Sequence, residues 1–500
     1  MNNSITKNLI EDICTRSYHY FAQINAIPRS SGNEQAIADY LVEVAGALGL
    51  EHRRDHVKID GKESHNVVII KPATKGHEAQ PALILQAHTD MVCQKEPDST
   101  HDFTKDPIIN IIDEKNGQMH ANKTTLGADN GIGAAIMLAL MERNDIGHPP
   151  LYALFTSDEE DGMTGVKALD PAMLDGGLGM SLINFDTEDE GVFYVGCAGG
   201  LDATFTLPAT YAAIPPDGSF INIEISGLKG GHSGLEIHKQ RANAHKLLAR
   251  TLKAIADADA NMRIVSFTGG DKRNVITKEA AAIIHVAGDT AAIMDKVKEQ
   301  KDIFQHEYAG IENAIELRAK TIQSDKTQAL SLKSSKDFVS ALLLIPNGIH
   351  ALHSSIQGLV ETSSNLGVVR LEDGQILIMS LIRSFVNSRK LCLAEQMRVL
   401  ADYLDADFIL GNEYPCWEPK PQSYLVKRLT TVYEASFLKS PTVASVHAGL
   451  ECGYFAEKFP GIDMVSMGPN ISGAHTPKES LDLNSMPRVM ELLLGFLATL

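Results

Sequence analysis

The sequence is poor in cysteine, and it has neither a long apolar run nor an excess of basic residues. Its 500 residues include six cysteines, which show neither a CxxC pair nor the spacing of a disulfide framework. Reduced thiols in a cytoplasm are the simplest interpretation. No apolar run approaches the roughly 20 residues that span a bilayer. The first residues lack the basic start and apolar core of a signal peptide. We therefore expect a cytoplasmic protein with no membrane partner.

Basic residues are outnumbered, because 45 Lys and Arg face 63 Asp and Glu and give a net charge of −18. Such a chain repels phosphate backbones, so a nucleic-acid partner is not expected. The hydrophobic share of 44% and the charged share of 22% are typical of a soluble globular protein. Because 500 residues is too long for one compact core, we expect two domains.

Apolar strands alternate with helices in the first part of the chain. Residues 5–49 predict two helices separated by a break at 26–33, with Asn33 as the cap of the second helix. The small residues of 131–142 predict a helix that packs closely on a sheet. Apolar runs that predict buried strands occur at 66–70, 82–86, 151–155 and 182–183. This alternation predicts an α/β fold with a mostly parallel central sheet covered on both faces.

The character of the sequence changes near residue 196. Apolar and polar residues then alternate, as they do in antiparallel strands with one solvated face. Segments with this alternation, or with helical patterns, occur at 203–207, 220–225, 239–257, 289–302 and 374–384. Buried strands and helices return after 413–419. We predict a discontinuous metal-binding domain, 1–196 and 417–500, interrupted by an inserted α+β domain, 197–416.

Histidine and acidic residues follow the apolar strands of the first domain, where sheets of this kind bind ligands. His88 follows one strand, and Asp90 comes two residues later, where its carboxylate can fix the imidazole tautomer as metal-bound histidines require. Glu159 and Glu160 follow another strand. Because adjacent side chains point in different directions, one of the two can bind a metal while the other acts as a general base.

Three further residues are candidate ligands. Asp129 precedes a glycine-rich helix start, so it either caps that helix or bridges two cations. Asp186 ends an apolar run, with Glu188 and Asp189 as close rivals. His475 lies in a loop, where it is either a ligand or an exposed histidine. Two histidines with three or four carboxylates favour zinc, with cobalt or manganese as alternatives, and suit two metals about 3.5–4 Å apart.

The order and spacing of these motifs resemble the cytosolic di-zinc dipeptidases of the aminoacyl-histidine dipeptidase family. The resemblance covers nearly the whole chain. Its motifs in the first domain are 88–92 (His-Thr-Asp-Met-Val), 126–131 (Leu-Gly-Ala-Asp-Asn-Gly), 156–160 (Thr-Ser-Asp-Glu-Glu), 183–186 (Ile-Asn-Phe-Asp) and 473–477 (Gly-Ala-His-Thr-Pro). Further motifs are 230–234 (Gly-Gly-His-Ser-Gly), 381–384 (Leu-Ile-Arg-Ser) and 447–453 (His-Ala-Gly-Leu-Glu-Cys-Gly). The resemblance implies hydrolysis of dipeptides, including Xaa-His, by a homodimer joined through the inserted domain, which also acts as a lid.

The resemblance also implies which residues hold the metals. One zinc would be held by His88 and Asp186, and the other by Glu160 and His475. Asp129 would bridge the two ions. The cofactors implied are therefore two divalent metal ions per subunit.

The remaining roles come from the same resemblance. Asp90 would orient a ligand, and Glu159 would be the general base. His232 would polarise the scissile carbonyl, while Arg383 and Asn274 would bind the substrate carboxylate. The nearest alternative is an N-acyl amino-acid deacylase on the same scaffold, and a non-catalytic binding protein is a third reading. The length of the inserted domain favours the dipeptidase.

Overall fold

The computed structural model describes residues 7–59, 61–177, 179–372, 374–420 and 422–500. Its helices are α1 (Lys7–Asn25), α2 (Gln35–Ala47), α3 (Ala128–Glu142), α4 (Thr164–Ala168), α5 (Ala244–Ala258), α6 (Thr290–Glu307), α7 (Leu332–Leu344), α8 (Asn387–Tyr403), α9 (Tyr424–Phe437), α10 (Cys452–Lys458) and α11 (Met486–Leu497). Within these described ranges, no helix is both long enough and apolar enough to cross a membrane.

The strands are short and numerous. They are β1 (Glu51–Arg54), β2 (Lys58–Ile59), β3 (Lys62–Glu63), β4 (Val67–Lys71), β5 (Leu83–His88), β6 (Ile111–Asp113), β7 (Gln118–His120), β8 (Leu151–Thr156), β9 (Ser181–Asn184), β10 (Val192–Cys197), β11 (Gly199–Pro208), β12 (Tyr211–Ala213), β13 (Ser219–Ser226), β14 (Gly231–His232), β15 (Arg263–Gly269), β16 (Val275–Ile276), β17 (Ala280–Val286), β18 (Glu316–Ile322), β19 (Gln328–Leu330), β20 (Gly348–Leu352), β21 (Val360–Glu372), β22 (Gln375–Ser384), β23 (Asp407–Tyr414), β24 (Thr442–Val446), β25 (Asp463–Ser466), β26 (Ile471–Ser472) and β27 (Ser480–Asp482).

The chain divides into two compact units. The first contains the chain up to Gly196 together with Pro419–Ser445 and Leu450–Leu500. The second contains Cys197–Glu418 and the short return Val446–Gly449. Each unit has its own cluster of buried apolar side chains, as independent domains do.

An eight-stranded sheet lies at the centre of the first unit, in the order β1-β4-β8-β5-β9-β25-β10-β24. Its central strands β8, β5, β9 and β25 run parallel, whereas β1, β4 and β10 pair antiparallel with their neighbours. Every residue of β5 and β8 is buried, because both faces of the sheet are covered. Helix α3 packs on β5 and β8 and against α1. The predicted α/β fold with a mostly parallel sheet is confirmed.

The predicted cap of α2 is wrong. The Asn33 amide closes a turn by donating to the Ser30 carbonyl oxygen at 2.8 Å, and Glu34 occupies the cap position without a capping side-chain bond. The buried Glu34 carboxylate instead accepts a hydrogen bond from the Asp158 amide at 2.9 Å. This residue therefore supports the loop after β8 rather than the start of its own helix.

The second unit contains an antiparallel sheet in the order β18-β13-β17-β15-β21-β22-β11-β23, with β20 beside β21. Burial alternates along β13, which confirms the predicted strand with one solvated face. Helix α5 packs on β13 and β17, and α8 packs on β11 and β22. The helix predicted from residue 239 begins only at Ala244, because Gln240 has left-handed backbone angles and Asn243 caps the helix.

Candidate metal centre

Several predicted site residues meet at one edge of the parallel sheet. Strand β5 ends at His88, and the loops after β8 and β9 carry Glu160 and Asp186. Because these strands run parallel, their carboxyl ends lie at the same edge. Asp129 joins them from the start of α3, where its own backbone and that of Asn130 depart from helical angles.

The first ligand group surrounds the His88 imidazole. Nε2 of His88 lies 3.1 Å from Asp129 Oδ1 and 3.3 Å from Asp186 Oδ1. One ligand atom from each of the three residues lies within 4.8 Å of the other two. Among the described residues, neither Glu188 nor Asp189 belongs to such a group.

The second ligand group surrounds His475. Its Nε2 lies 3.1 Å from Asp129 Oδ2 and 2.9 Å from Glu160 Oε1. Asp129 thus directs one oxygen to each histidine, as a carboxylate that bridges two cations does. Glu160 Oε1 is buried and accepts no hydrogen bond despite its short distance to the imidazole. A carboxylate oxygen and an imidazole nitrogen that lie this close without a hydrogen bond are positioned to bind one cation between them.

The charges of the cluster also fit cations. Burial, together with the Asp186 and Glu160 carboxylates, raises the pKa of Glu159 well above its ordinary value. Although burial opposes a charged imidazole, Asp186 and Asp129 raise the pKa of His88 well above its usual range. The neighbouring carboxylates of Asp129 and Glu160 raise the pKa of His475 to about 11. The concentrated negative charge stabilises positive charge at both imidazoles, and divalent ions would supply that charge.

Asp90 connects the two halves of the cluster. Its Oδ1 lies 3.3 Å from His88 Nδ1, the ring nitrogen opposite the one that faces the acids. The same carboxylate accepts the backbone amides of Glu159 at 3.0 Å and Glu160 at 3.1 Å, and the Ser31 hydroxyl at 2.7 Å. It is fully buried. Asp90 therefore fixes both a histidine ring and the loop that carries the two glutamates.

Strained backbone occurs at two positions beside the cluster. His475 has φ 62°, and Asp158, which precedes Glu159, has φ 55°. A residue with a side chain in this left-handed region costs about 1–2 kcal/mol. The surrounding contacts hold both residues in place, and such strain is concentrated at functional loops.

The sequence analysis missed two buried charged residues that shape the cluster. Glu479 accepts four successive backbone amides, from Leu126 to Asp129, at 2.7–3.2 Å. Arg29 donates to the carbonyl oxygens of Thr89 at 2.9 Å and Asp90 at 3.0 Å. The backbone amides at a helix start need hydrogen-bond acceptors, but no pattern in the neighbouring sequence identifies one about 350 residues away.

A layer of buried polar side chains lies below the ligands. Glu451 Oε2 accepts hydrogen bonds from Gln86 at 2.7 Å and from the Thr156 hydroxyl at 2.8 Å, and Asn184 donates to Gln86 at 2.6 Å. All four side chains are fully buried. Burial raises the pKa of Glu451 to about 8. The layer ties together β5, β8 and β9, the strands that lead to the ligands.

Two predicted residues of the second unit lie close together. A Cβ atom built on Gly234 would be 3.0 Å from His232 Cε1 and 3.3 Å from Arg383 Cζ, so both side chains flank this glycine. The His447 carbonyl oxygen lies on its third side at 2.4 Å from the same point. Arg383 is buried and donates to the Tyr414 hydroxyl at 2.6 Å.

Asn274, the third predicted residue of this unit, contacts the group through its backbone. Its carbonyl oxygen accepts the Ser233 amide at 2.8 Å, and its side chain is exposed. His447, which sequence reasoning noted only within a motif, is buried and its Nε2 lies 2.8 Å from the Ser363 hydroxyl. Burial, Arg383 and His232 lower the pKa of His447 to about 3.

An α/β unit with two histidines on either side of one carboxylate at its sheet edge is typical of metal-dependent hydrolases. The sequence matches the peptidase family M20/M25/M40 over residues 84–499. It is 40% identical to the cytosol non-specific dipeptidase of Escherichia coli over 474 residues, which cover 95% of each chain.

Solved structures agree with this match. The aminoacylhistidine dipeptidase of Vibrio alginolyticus superimposes with a TM-score of 0.88 and 37% identity, over 97% of this chain and 96% of that one. The aminopeptidase PepT of Bacillus cereus has a TM-score of 0.55 and 17% identity over 97% and 98% of the chains, and shares the fold. The chain belongs to the peptidase family M20/M25/M40 and is a metallopeptidase, which confirms the predicted family.

Proposed function

We propose that this protein hydrolyses dipeptides, including Xaa-His, with two zinc ions and a glutamate general base. The observation that carries the proposal is the position of Asp129, whose two oxygens face two separate histidines. The relatives that match nearly the whole chain are named dipeptidases, which supports the substrate class.

The metal ligands are assigned from the two groups around Asp129. His88 and Asp186 would hold one ion, and Glu160 and His475 the other. Imidazole and carboxylate donors favour zinc, with cobalt and manganese as alternative ions. When bound, the two ions supply an activated water and polarise the peptide carbonyl.

Glu159 is the proposed general base. One of its ligand atoms lies within 4.8 Å of those of His88 and Glu160, so its carboxylate would lie beside a bound ion without being needed to hold it. Its backbone amide is fixed by Asp90, which limits the movement of the side chain. Glu159 takes a proton from the attacking water and passes it to the departing amine.

His232 has the tautomer needed to polarise a carbonyl. Its Nδ1 accepts the backbone amides of Gly234 at 3.2 Å and Leu235 at 3.0 Å. Burial, followed by the charge of Arg383, lowers the pKa of His232. A neutral imidazole that accepts at Nδ1 carries its proton on Nε2, which can donate to an oxyanion.

Arg383 is the proposed partner of the substrate carboxylate. Its buried Nε has no hydrogen-bond partner among the described residues. An unsatisfied buried donor costs about 1–3 kcal/mol, which a carboxylate ligand would recover through charge-assisted bonds. Asn274 is proposed to assist it. A homodimer joined through the second unit and a cytoplasmic location complete the proposal. The location is supported by the six cysteines, all of them within the described residues, none of which forms a disulfide.

A substrate panel combined with metal analysis tests this function. The zinc-loaded protein should contain two ions per chain in the centre around Asp129 and cleave Xaa-His and other dipeptides. N-acetyl amino acids should be poor substrates, because a deacylase and a dipeptidase share the metal chemistry but not the substrate. Preferential cleavage of N-acetyl amino acids would replace the proposal with the deacylase, and no cleavage of either class would reject both.

A further inference from the structure

A second cluster of potential metal ligands lies on the hairpin formed by β2 and β3 in the first unit. Its members are His56, Glu63 and His65, and one ligand atom from each lies within 4.8 Å of the other two. His56 Nδ1 is 3.4 Å from Glu63 Oε1, and the two imidazole centroids are 5.8 Å apart. None of the three belongs to the groups around Asp129.

The register of the hairpin brings these side chains together. Lys58 pairs with Glu63. The next backbone hydrogen bond along the hairpin is 2.8 Å long and continues the pairing towards His56 and His65. The two histidines therefore lie opposite each other. Residues two apart on an extended strand share a face, so Glu63 and His65 present their side chains beside His56.

We infer that His56, Glu63 and His65 form a third divalent-cation site that binds Zn²⁺. Two imidazoles and one carboxylate are a ligand set that zinc uses with water in the remaining position. The inference does not depend on the proposed dipeptidase function, because it concerns different residues.

The ligands are prepared for a cation in two ways. His65 is 8% exposed, so the surrounding chain limits the movement of its imidazole. His56 is exposed, which gives an ion direct access from solvent. Glu63 supplies the one negative charge of the set.

Two basic side chains oppose the ion and set its affinity below that of the main centre. Lys58 Nζ is 3.5 Å from Glu63 Oε2, and this lysine is 72% exposed, so it can swing into solvent. Arg54 Nη2 is 3.5 Å from His65 Nδ1, at the limit of a hydrogen bond. The same guanidinium also donates to Asp39. Binding of zinc therefore has to displace one weak ion pair and one weak contact.

The hairpin also supports the loop that carries Glu159. From its side chain, Lys62 donates to Asp158 at 2.8 Å and to Asp161 at 2.6 Å. The His65 amide donates to the Ser157 hydroxyl at 2.9 Å. An ion that links the two arms of the hairpin would stiffen this support.

Equilibrium dialysis of the metal-free protein against buffered free Zn²⁺ tests the site. The wild type should bind three ions per chain, the third most weakly. His56→Ala and Glu63→Gln should each bind two. His52→Ala is the matched control, because it removes another exposed histidine four residues away and should leave three ions. Lys58→Ala should tighten the third ion about two- to fivefold, since it removes the competing ammonium.

Several outcomes would overturn the inference. They are a wild type with only two ions, three ions retained by His56→Ala, an equal loss in His52→Ala, or weaker binding by Lys58→Ala. If the protein cleaved no dipeptide, the expected difference in bound zinc between the wild type and His56→Ala would not change. The two proposals are therefore tested separately.

Discussion

At the scale of single residues, the roles proposed for the adjacent acids Glu159 and Glu160 can be tested separately. Glu159→Gln keeps the size of the side chain and removes its ability to take a proton. We expect kcat on a dipeptide to fall about 10²–10⁴-fold, the usual contribution of a general base. The zinc content should remain at the wild-type value, as measured by elemental analysis.

The control for that substitution is Asp161→Asn in the same loop. Its carboxylate forms an exposed ion pair with Lys62, and exposed pairs contribute little. This variant should keep nearly full activity. Turnover by Glu159→Gln close to that of the control would remove Glu159 from the role of base.

The left-handed backbone at His475 allows the proposed ligand to be removed without added backbone strain. His475→Gly removes the imidazole and also relieves the left-handed φ of 62°. We expect the main centre to lose one of its two ions, while the melting temperature of the metal-free protein stays the same or rises. His19→Ala, which removes an exposed histidine, is the control, and its metal content should equal that of the wild type. A zinc content of His475→Gly equal to that of the wild type would reject the ligand assignment.

At the scale of elements, the start of α3 depends on a carboxylate from a distant loop. Glu479→Gln turns an amide NH₂ group towards some of the four backbone donors that the carboxylate satisfies. We expect a loss of about 1–3 kcal/mol in the free energy of unfolding, together with weaker metal binding, because Asp129 lies in this segment. Denaturant unfolding and zinc titration measure the two effects.

Glu43→Gln is the matched control for this change, because Glu43 is an exposed carboxylate on α2. Its unfolding free energy should lie within about 0.5 kcal/mol of wild type, as for most surface substitutions. If Glu479→Gln behaved like this control, the loop would be held by other contacts.

The sequence predicts elements well where the apolar pattern is local. The runs at 82–86 and 151–155 became β5 and β8, since a buried parallel strand needs only continuous apolar residues. Neither α7 nor α8 was predicted, because alternating apolar and polar residues dominate the pattern of that region. The cap of α2 was misassigned because a loop 124 residues away recruits Glu34.

In the site too, residues in local motifs were predicted, whereas residues held by distant contacts were not. His88, Asp129, Glu160, Asp186 and His475 were named from motifs, and the structure places their ligand atoms in two adjoining groups. Arg29 and Glu479 were given no role in the site, and Glu451 was noted only within the motif 447–453. Their partners are backbone groups or buried amides on other strands, and such contacts leave no pattern in the neighbouring sequence.

At the scale of the whole molecule, the metal centre links cofactor binding to the stability of one unit. All five proposed ligands lie in the first unit. Removal of the ions leaves several carboxylates close together, and each ion at a hundred times its Kd contributes about 2.7 kcal/mol of stability. We therefore expect a chelator to lower the melting temperature of the first unit and added Zn²⁺ to restore it.

Calorimetry with and without chelator measures this effect. The transition of the second unit should not move, since it holds none of the ligands of the main centre. A chelator that shifted neither transition would show that the native state does not bind the ions more tightly than the unfolded chain does.

The contact between Glu479 and residues 126–129 also has a consequence for synthesis of the protein. The two partners are 350 or more residues apart in the chain. A ribosome that adds about 5–20 residues per second therefore needs tens of seconds to deliver the acceptor after the amides have emerged. His475 arrives equally late. The nascent chain cannot assemble this cluster until residues 475–479 have left the ribosome, so the proposed centre forms late in synthesis.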